Sequence, residues 1–199
     1  SHSLSATDSE TSVQQTTITP SAAYRWGASD QTSLSFSVAP TNYTADPARR
    51  VLDRDVTTRV ATISHNTLLD GPILPLGVNL RFGLTRTFNN AEGADYDYTG
   101  YGRFISVSRE FPLNITATLN YSAQRDSYTE RNSLAGAGFA FKREDKIDRL
   151  NLFLERPLEI FGVENISAFA NWQYLNNVSN ISFFDYEQTS INFGITARF

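Results

Sequence analysis

Histidine, the residue that most often serves as a general base, occurs only twice in this chain. His2 lies in a polar start without periodicity, and His65 lies in the run Ser64-His65-Asn66, near a predicted strand end. The chain has no cysteine, which excludes disulfides, cysteine metal ligands and cysteine nucleophiles. We therefore predict no enzyme, and no catalytic, cofactor-binding or metal site.

Acidic residues are concentrated in stretches that we predict to be loops. Carboxylates there could bind divalent cations that bridge the phosphates of lipopolysaccharide, but ordinary solvated loops have the same composition. The residues are Asp46, Asp53, Asp55, Asp95, Asp97, Glu144, Asp145 and Asp148.

The overall composition contains no signal for a membrane helix. Hydrophobic residues make up 40% of the chain, the mean hydropathy is -0.32, and no run approaches the roughly 18 apolar residues that such a helix needs. A transmembrane β-barrel escapes hydropathy analysis because half of each strand is polar. Only two of the 17 basic residues are lysine, and the 15 arginines (17 − 2) suit a polar lumen or a rim that faces lipopolysaccharide, although codon usage would explain them too. No basic patch with interleaved aromatics indicates nucleic acid.

The end of the chain shows the clearest strand. Apolar and polar residues alternate there with a period of two, which predicts one apolar and one polar face. The apolar series is Ile191, Phe193, Ile195, Ala197 and Phe199, and the polar series is Gln188, Ser190, Asn192, Thr196 and Arg198.

Similar alternation runs through most of the chain, and helical periodicity is nearly absent. We predict strands near 13–26, 32–43, 53–67, 96–110, 113–125, 138–156 and 164–176, a strand through Val78, Leu80, Phe82 and Leu84, and the final strand. Pro20 within the first strand indicates an edge or a bulge. The alternation leaves the orientation of the third strand open, because Val56 and Val60 oppose Ala61 and Ile63.

Short turns marked by Gly or Pro, near 27–30, 70–76, 110–112 and 157–163, alternate with longer polar loops near 44–52, 89–95 and 126–137. The repeating unit is therefore a hairpin of roughly 42–46 residues. Propeller blades repeat at similar lengths, but they need four short strands per period instead of two long ones. We predict an all-β, antiparallel, up-and-down transmembrane β-barrel over residues 13–199, after a loop or disordered lead-in over residues 1–12 that shows no signal peptide. Nine strands is an odd number for a single-chain barrel. Either residues 133–141 add a tenth strand or, as we favour, the chain is the C-terminal part of a larger barrel closed by an upstream segment or other subunits.

With the apolar faces towards lipid, five charged residues are predicted to face the lumen, where buried charges should be paired. They are Arg25, Arg81, Arg149, Glu155 and Arg198. They would set the selectivity of a pore or plug a small barrel. Aromatic residues near strand ends are predicted to form girdles at the membrane surfaces. These are Tyr24, Trp26, Phe88, Tyr121, Trp172 and Tyr174.

The final strand resembles the C-terminal strand of bacterial outer-membrane β-barrels, in which a terminal Phe belongs to the signal read by the barrel-assembly machinery. This resemblance implies an assembly signal at Ile191, Phe193, Ile195 and Phe199. The last hairpin, with Phe169-Ala170-Asn171-Trp172-Gln173-Tyr174 and Phe184-Asp185-Tyr186-Glu187, also resembles the barrels of tetratricopeptide-headed outer-membrane export proteins. These include surface lipoprotein assembly modifiers and exopolysaccharide exporters, although this chain contains no tetratricopeptide repeat.

We expect a protein of the outer membrane of Gram-negative bacteria, in contact with lipid and lipopolysaccharide, that forms a porin-like pore or an export conduit for transport. One alternative is a barrel that does not conduct and serves as a scaffold in a larger assembly. A second alternative is a soluble secreted all-β binding module. Conductance in a planar bilayer should distinguish the pore from the scaffold. A charge introduced at Leu119 or Ile195 should distinguish either barrel from the soluble module, because arginine near the middle of the membrane costs roughly 2–4 kcal/mol.

Overall fold

The computed structural model describes residues 2–6, 12–43, 54–70, 77–133, 142–160 and 163–197. They form an 11-stranded sheet. No helix within these ranges has the length and hydropathy that a membrane span requires. The strands are β1 (His2–Ala6), β2 (Ser12–Thr16), β3 (Ser21–Arg25), β4 (Asp30–Tyr43), β5 (Val56–Leu69), β6 (Val78–Ala91), β7 (Tyr98–Phe111), β8 (Ile115–Tyr128), β9 (Glu144–Ile160), β10 (Val163–Ser179) and β11 (Tyr186–Ala197).

The sheet is an antiparallel meander. From β4 to β11 each strand pairs with the next one along the chain, and β1 pairs with β2 at the other side. Within the described residues the pairing ends at β1 and at β11. The predicted all-β, antiparallel, up-and-down architecture is thereby confirmed, and the arrangement is barrel-like.

Strands β2 and β3 are two parts of one interrupted strand. Both pair with β4 in a single register, in which Val13 opposes Tyr43 and Arg25 opposes Gln31. The interruption falls at Pro20, which has no N–H to donate, although its carbonyl still accepts from Phe36 N at 3.1 Å. The single register excludes the bulge, and β1 pairs with β2 only as far as Thr16, so within the described residues Pro20 lies at the predicted edge and costs one ladder bond.

One strand lies where a loop or disordered lead-in was predicted. The described residues His2–Ala6 form β1, paired with β2 from His2–Thr16 to Ala6–Ser12. Leu4 is the one large apolar residue in this stretch, so the alternation with Ser3 and Ser5 is weak, and the partner strand reveals β1. With β2 and β3 counted as one, the described strands occupy 11 − 1 = 10 positions. Residues 134–141, part of the stretch offered as an alternative tenth strand, lie outside the described residues.

Two predicted turns lie elsewhere. Strand β7 continues to Phe111, and the turn is Pro112–Asn114, with Leu113 at φ 70° and Asn114 at φ 57°. Strand β9 continues through Pro157, where a turn was predicted. Pairing of β9 with β8 begins only at Glu155, so at Pro157 the strand is bonded only to β10 and the missing N–H costs no ladder bond.

The strands have one exposed apolar face and one polar face. Ile63 of β5, Phe82 of β6 and Ile105 of β7 lie on the apolar face and are exposed. The alternation left undecided which face of the third predicted strand, now β5, is apolar. Its register answers this: Ala61 and Ile63 face the apolar side, together with Phe36 and Leu34 opposite them.

Burial in this sheet is the reverse of that in a water-soluble domain. Among described residues the only buried hydrophobic side chains are Ala39 and Ile181. By contrast, Phe193 is 83% exposed and Ile191 is 69% exposed. Most buried side chains are polar, whereas soluble proteins bury Ile, Val, Leu and Phe. The buried polar residues are Thr41, Ser64, Asp95, Asp126, Asn132, Asp145 and Asn177.

Two glycines on the polar face lie beneath aromatic rings of the neighbouring strand. Gly83 opposes Phe104, and Gly194 opposes Phe169. A Cβ built on Gly83 would lie 2.4 Å from the Ile63 carbonyl oxygen and 2.7 Å from the Phe104 ring, while one on Gly194 would lie 2.9 Å from the Phe169 ring. The rings thus occupy the space that the glycines leave open.

Candidate functional site

A row of polar side chains crosses the polar face perpendicular to the strands. Because successive side chains of a strand point to opposite faces, the antiparallel register brings one residue from each strand from β3 to β11 into this row. The row consists of Arg25, Gln31, Asn66, Arg81, Ser106, Asn120, Asn151, Gln173 and Ser190. No residue of the row is apolar, so this face is suited to water or to a polar solute.

Cross-strand hydrogen bonds connect many side chains on this face. Asn120 Nδ2 donates to Asn151 Oδ1 at 3.1 Å, and Asn151 Nδ2 donates in turn to Asn171 Oδ1. Ser33 and Ser64 share a hydrogen bond of 2.8 Å. These bonds fix the side chains of neighbouring strands relative to each other, and they give the face a defined pattern of donors and acceptors.

Four of the five charges predicted to face the lumen lie on the polar face: Arg25, Arg81, Arg149 and Glu155. Arg149 Nη1 donates to Gln124 Oε1 at 3.4 Å, and Glu155 Oε1 accepts from Ser167 Oγ at 2.8 Å. Arg198 lies outside the described residues.

Arg25, Arg81, Arg149 and Glu155 form no ion pair within the described residues, and the expected pairing of these charges stays a prediction. Between described residues the ion pairs are His65–Asp30 and Arg143–Asp145. Arg25, Arg81 and Arg149 are exposed, so their charges retain access to water and need no carboxylate partner. Arg81 also lies 5.5 Å from the ring centroid of Phe104.

Two long loops are held by the same arrangement of residues, which we call the first and second clamp. The first clamp is Asn89, Tyr96 and Arg54, and the second is Asn177, Phe184 and Arg143. In the first, Asn89 Nδ2 donates to the Tyr96 carbonyl at 2.8 Å across a single turn of 3₁₀ helix, Ala94–Tyr96. In the second, Asn177 Nδ2 donates to the Phe184 carbonyl at 2.7 Å across Ser182–Phe184.

An arginine that comes just before the preceding strand of the chain lies over the ring of each clamp. Arg54 lies 5.7 Å from the Tyr96 ring centroid, and Arg143 lies 3.6 Å from that of Phe184. A hydrogen bond with the Tyr96 side chain raises the pKa of Arg54 above its ordinary value. Arg143 additionally binds Asp145 through two nitrogens, at 3.0 and 2.5 Å.

The clamps differ at the residue opposite the asparagine. Thr58 Oγ1 donates to Asn89 Oδ1 at 2.7 Å in the first clamp. In the second clamp Ile147 occupies the corresponding place opposite Asn177. The Oδ1 of Asn177 is buried and has no hydrogen-bond donor among the described residues.

A cavity of about 500 Å³ lies beside the first clamp and is lined by Thr41, Tyr43, Arg54, Thr58, Asn89 and Tyr96, with Val13, Gln15 and Val56.

Sequence reasoning missed the clamps, although a signal for them is present. Asn89 is followed eight residues later by Asp97-Tyr98, and Asn177 is followed eight residues later by Asp185-Tyr186. The offset of 88 residues between the two equals two of the predicted hairpin periods. A search for short matches at multiples of the hairpin length would have found this repeat.

His65 belongs to a small polar network on the exposed apolar face, near a short turn. Its Nδ1 lies 3.0 Å from Thr32 Oγ1, its Nε2 lies 3.5 Å from Asp30 Oδ1, and Trp26 Nε1 donates to Thr32 Oγ1 at 2.8 Å. Thr32 Oγ1 therefore bridges the Trp26 indole and the His65 imidazole. This network joins the turn between β3 and β4 to β5. The absence of an enzymatic function stays a prediction.

Several of the acidic loop residues have hydrogen-bond partners of their own. Asp95 accepts from Ser133 N at 2.8 Å, and Asp97 accepts from Thr129 Oγ1 at 2.6 Å. No cluster of three potential metal ligands occurs in the part of the chain that the structure describes. Asp46 and Asp53 lie outside it.

The residues predicted to form aromatic girdles share the apolar face. Tyr24 and Trp26 pack edge to face at 4.8 Å near a short turn, and Phe88 lies near a long loop. Tyr121, Trp172 and Tyr174 lie between these ends. Of the residues assigned to the assembly signal, Ile191, Phe193 and Ile195 are exposed on the same face, and Phe199 lies outside the described residues. The girdle and assembly roles stay predictions.

Comparison with known proteins finds one family. A sequence model described as "Protein of unknown function (DUF2860)" matches residues 38–197. No curated protein matches the chain. The beta domain of the Bordetella autotransporter BrkA, a crystal structure, matches with a TM-score of 0.47 and 14% identity over 94% of this chain and 78% of that chain. A likeness this distant indicates nothing about what the chain binds or moves, and the resemblance to tetratricopeptide-headed exporters stays a prediction.

Proposed function

Because this chain belongs to the DUF2860 family, whose description gives no function, we propose its function from its own geometry. It is an integral protein of the bacterial outer membrane in which the polar face lines a pore or an export conduit. The observation that carries this proposal is the reversed burial: large apolar side chains cover the exposed face, and polar ones are buried. Exposed apolar surface of this extent needs a covering, and lipid is the covering that fits a continuous band.

The lengths of the strands support this placement. Strands β4 to β8 have 14 residues each, and β9 and β10 have 17. A tilted strand needs about 9–11 residues to cross a bilayer. From β3 to β11, the connections at one end, which include the two clamped loops, have 6 to 15 residues, and those at the other end have 2 to 8, the asymmetry of outer-membrane barrels. The barrel-assembly machinery and lipopolysaccharide are the partners that this proposal implies.

The polar face supports conduction of water and small polar solutes. Arg25, Arg81 and Arg149 are exposed on this face, whereas Glu155 is half-buried and Asp126 and Asp145 are buried. A pore lined by this face should therefore prefer anions. The test is conductance of the full-length chain in a planar bilayer, with heat-denatured protein as the control. Discrete channels that shift towards cations in Arg81→Glu are expected, whereas folded, inserted protein without conductance would contradict a pore.

A scaffold that does not conduct is the second candidate, because aromatic rings lie on the polar face. Phe104, Phe153 and Phe169 are directed there, and Phe153 stacks on Phe169 with centroids 6.2 Å apart. Rings of this size fill a narrow lumen. If Phe153→Ala and Phe169→Ala together open a conductance that the unchanged chain lacks, the second candidate replaces the first.

A further inference from the structure

A basic residue follows the central apolar residues on five neighbouring strands, always towards the side of the long loops. In β6, for example, Val78, Leu80, Phe82 and Leu84 are followed on the same face by Arg86. We call these five residues the basic margin: Arg59, Arg86, Arg103, Arg125 and Lys146. A series that recurs on β5, β6, β7, β8 and β9 forms a continuous stripe of positive charge beside the apolar face.

Two cations of the basic margin face each other directly. Arg125 of β8 opposes Lys146 of β9 in the register, which brings their Cβ atoms to about 4.5–5.5 Å. Like charges at this position repel and destabilise the sheet. Neither residue has an ion pair with a described carboxylate. The pair therefore needs an anion from outside the chain to offset the repulsion.

The acidic residues beside this pair on the same face are Glu144 and Asp148, and neither forms an ion pair with Arg125 or Lys146. Asp148, on the same face, accepts a hydrogen bond from Tyr121 Oη at 2.7 Å. Asp126 and Asp145 are neighbours in sequence, but they lie on the polar face, and they are only 4% and 3% exposed. Asp145 is bound there by Arg143. The positive charge of the basic margin thus remains available to a ligand.

A hollow of about 430 Å³ opens between these cations on the apolar face. It is lined by Tyr101, Arg103, Tyr121, Arg125, Lys146 and Asp148, together with Ala123 and Gln124. Three of these residues are basic and one is acidic. The phenol rings provide apolar walls beside these charges, so the hollow combines cationic and lipid-compatible surfaces.

We propose that the basic margin binds the phosphate groups of lipopolysaccharide in the leaflet at the long-loop end. This inference rests on the proposed insertion into an outer membrane. Guanidinium groups bind phosphate through two parallel hydrogen bonds, and an ammonium group adds a point charge. The acyl chains would lie on the apolar residues of the same strands, such as Leu119 and Leu154. A phosphate between Arg125 and Lys146 would turn their repulsion into a shared attraction.

The other ends of the same strands provide a matched control. Arg109 of β7 and Arg156 of β9 also lie on the apolar face, but at the short-turn end. Arg109 opposes Val78 and Ala117, and Arg156 opposes Ala168, so neither faces another cation. Substituting these two residues removes the same charge from the same face without touching the basic margin.

The test compares the double variant Arg125→Gln/Lys146→Gln with Arg109→Gln/Arg156→Gln and the unchanged chain. Each full chain is refolded into phosphatidylcholine vesicles with and without lipopolysaccharide, and lipopolysaccharide retained after detergent extraction is measured. Each removed cation of the basic margin should weaken retention about fivefold, since a basic residue near an anionic surface contributes about 1 kcal/mol. The control variant should retain as much as the unchanged chain. The swap Arg125→Lys/Lys146→Arg keeps both charges, so this variant should retain lipopolysaccharide as well. Its retention would show that changing these two side chains does not by itself abolish binding through misfolding.

The resistance of each variant to unfolding by urea provides an independent test of the lipid site. In phosphatidylcholine alone the Arg125→Gln/Lys146→Gln variant should unfold at higher urea than the unchanged chain, because the repulsion is relieved. With lipopolysaccharide present the order should reverse. If all chains insert and show heat-modifiable mobility, but both double variants retain lipopolysaccharide equally, the lipid site is overturned while the proposed function stands. If no chain inserts, the proposed function fails and the lipid site fails with it.

Discussion

Ile147 lies directly opposite Asn177 on the polar face, where it offers no hydrogen to the buried Oδ1 of that asparagine. The first clamp has Thr58 at the corresponding position, and its hydroxyl donates to Asn89. Ile147→Thr should therefore stabilise the second clamp by about 0.5–1.5 kcal/mol, the net value of a typical hydrogen bond. Urea unfolding in detergent micelles measures this gain.

The control for this prediction is Ile147→Val. Valine has the same branching as threonine but no hydroxyl, so it should give no gain. A threonine variant no more stable than the valine variant would show that the oxygen of Asn177 does not need this donor.

Arg143 should be the more important of the two clamp arginines. Its carboxylate partner Asp145 is almost fully buried, and removing one partner of a buried pair leaves an uncompensated charge. Arg143→Ala should cost about 3–5 kcal/mol of unfolding free energy. The matched change Arg54→Ala removes an exposed contact with Tyr96 and should cost at most about 1 kcal/mol. Equal losses in urea titrations of the two variants would contradict the roles assigned here.

Adjacent residues of β11 test the assignment of the two faces. Phe193 points to the apolar face and Asn192 to the polar face, opposite Asn171. Phe193→Arg should destabilise the chain in vesicles by up to roughly 2–4 kcal/mol, the cost of arginine at the middle of the membrane, because the charge would face lipid. Asn192→Arg should be tolerated. Folding yield and unfolding midpoint measure both, and the opposite order would reverse the assigned faces.

Gly83 should tolerate a methyl group less well than Gly194. Both lie under a phenyl ring, but a Cβ on Gly83 would also contact the backbone oxygen of Ile63, which cannot rotate away. We expect Gly83→Ala to cost about 1–3 kcal/mol and Gly194→Ala less. Gly27, which has no atom within 4 Å of such a Cβ, is the neutral control. A Gly83→Ala variant as stable as Gly27→Ala would indicate that the ring does not stay over the glycine.

The strands could be predicted because alternation is a local property of the sequence. The predicted strand around Leu119 and Asn120 is found in β8, with Leu119 on the apolar face and Asn120 on the polar face. The ends of the strands were less predictable. Pro157 suggested a turn because a proline usually interrupts pairing, but its missing N–H points to the side of β9 that has no partner there.

The clamps and the basic margin could not be predicted from single strands. Each depends on which residue of one strand opposes which residue of the next, and a shift of one residue would alter every such pair. The opposition of Arg125 and Lys146 follows only from the register of β8 and β9. The roles of Thr58 and Ile147 likewise depend on the asparagines that lie opposite them on the neighbouring strands.

The most direct test of the central claim is the location and electrophoretic mobility of the full-length product. Membranes are fractionated, the protein is extracted in mild detergent, and boiled and unboiled samples are compared on a gel. Our account predicts recovery in the outer membrane and faster migration of the unboiled protein, since a folded barrel remains compact in the detergent. A protein that stays in the aqueous fraction and migrates identically in both samples would contradict the lipid-facing assignment of the apolar face.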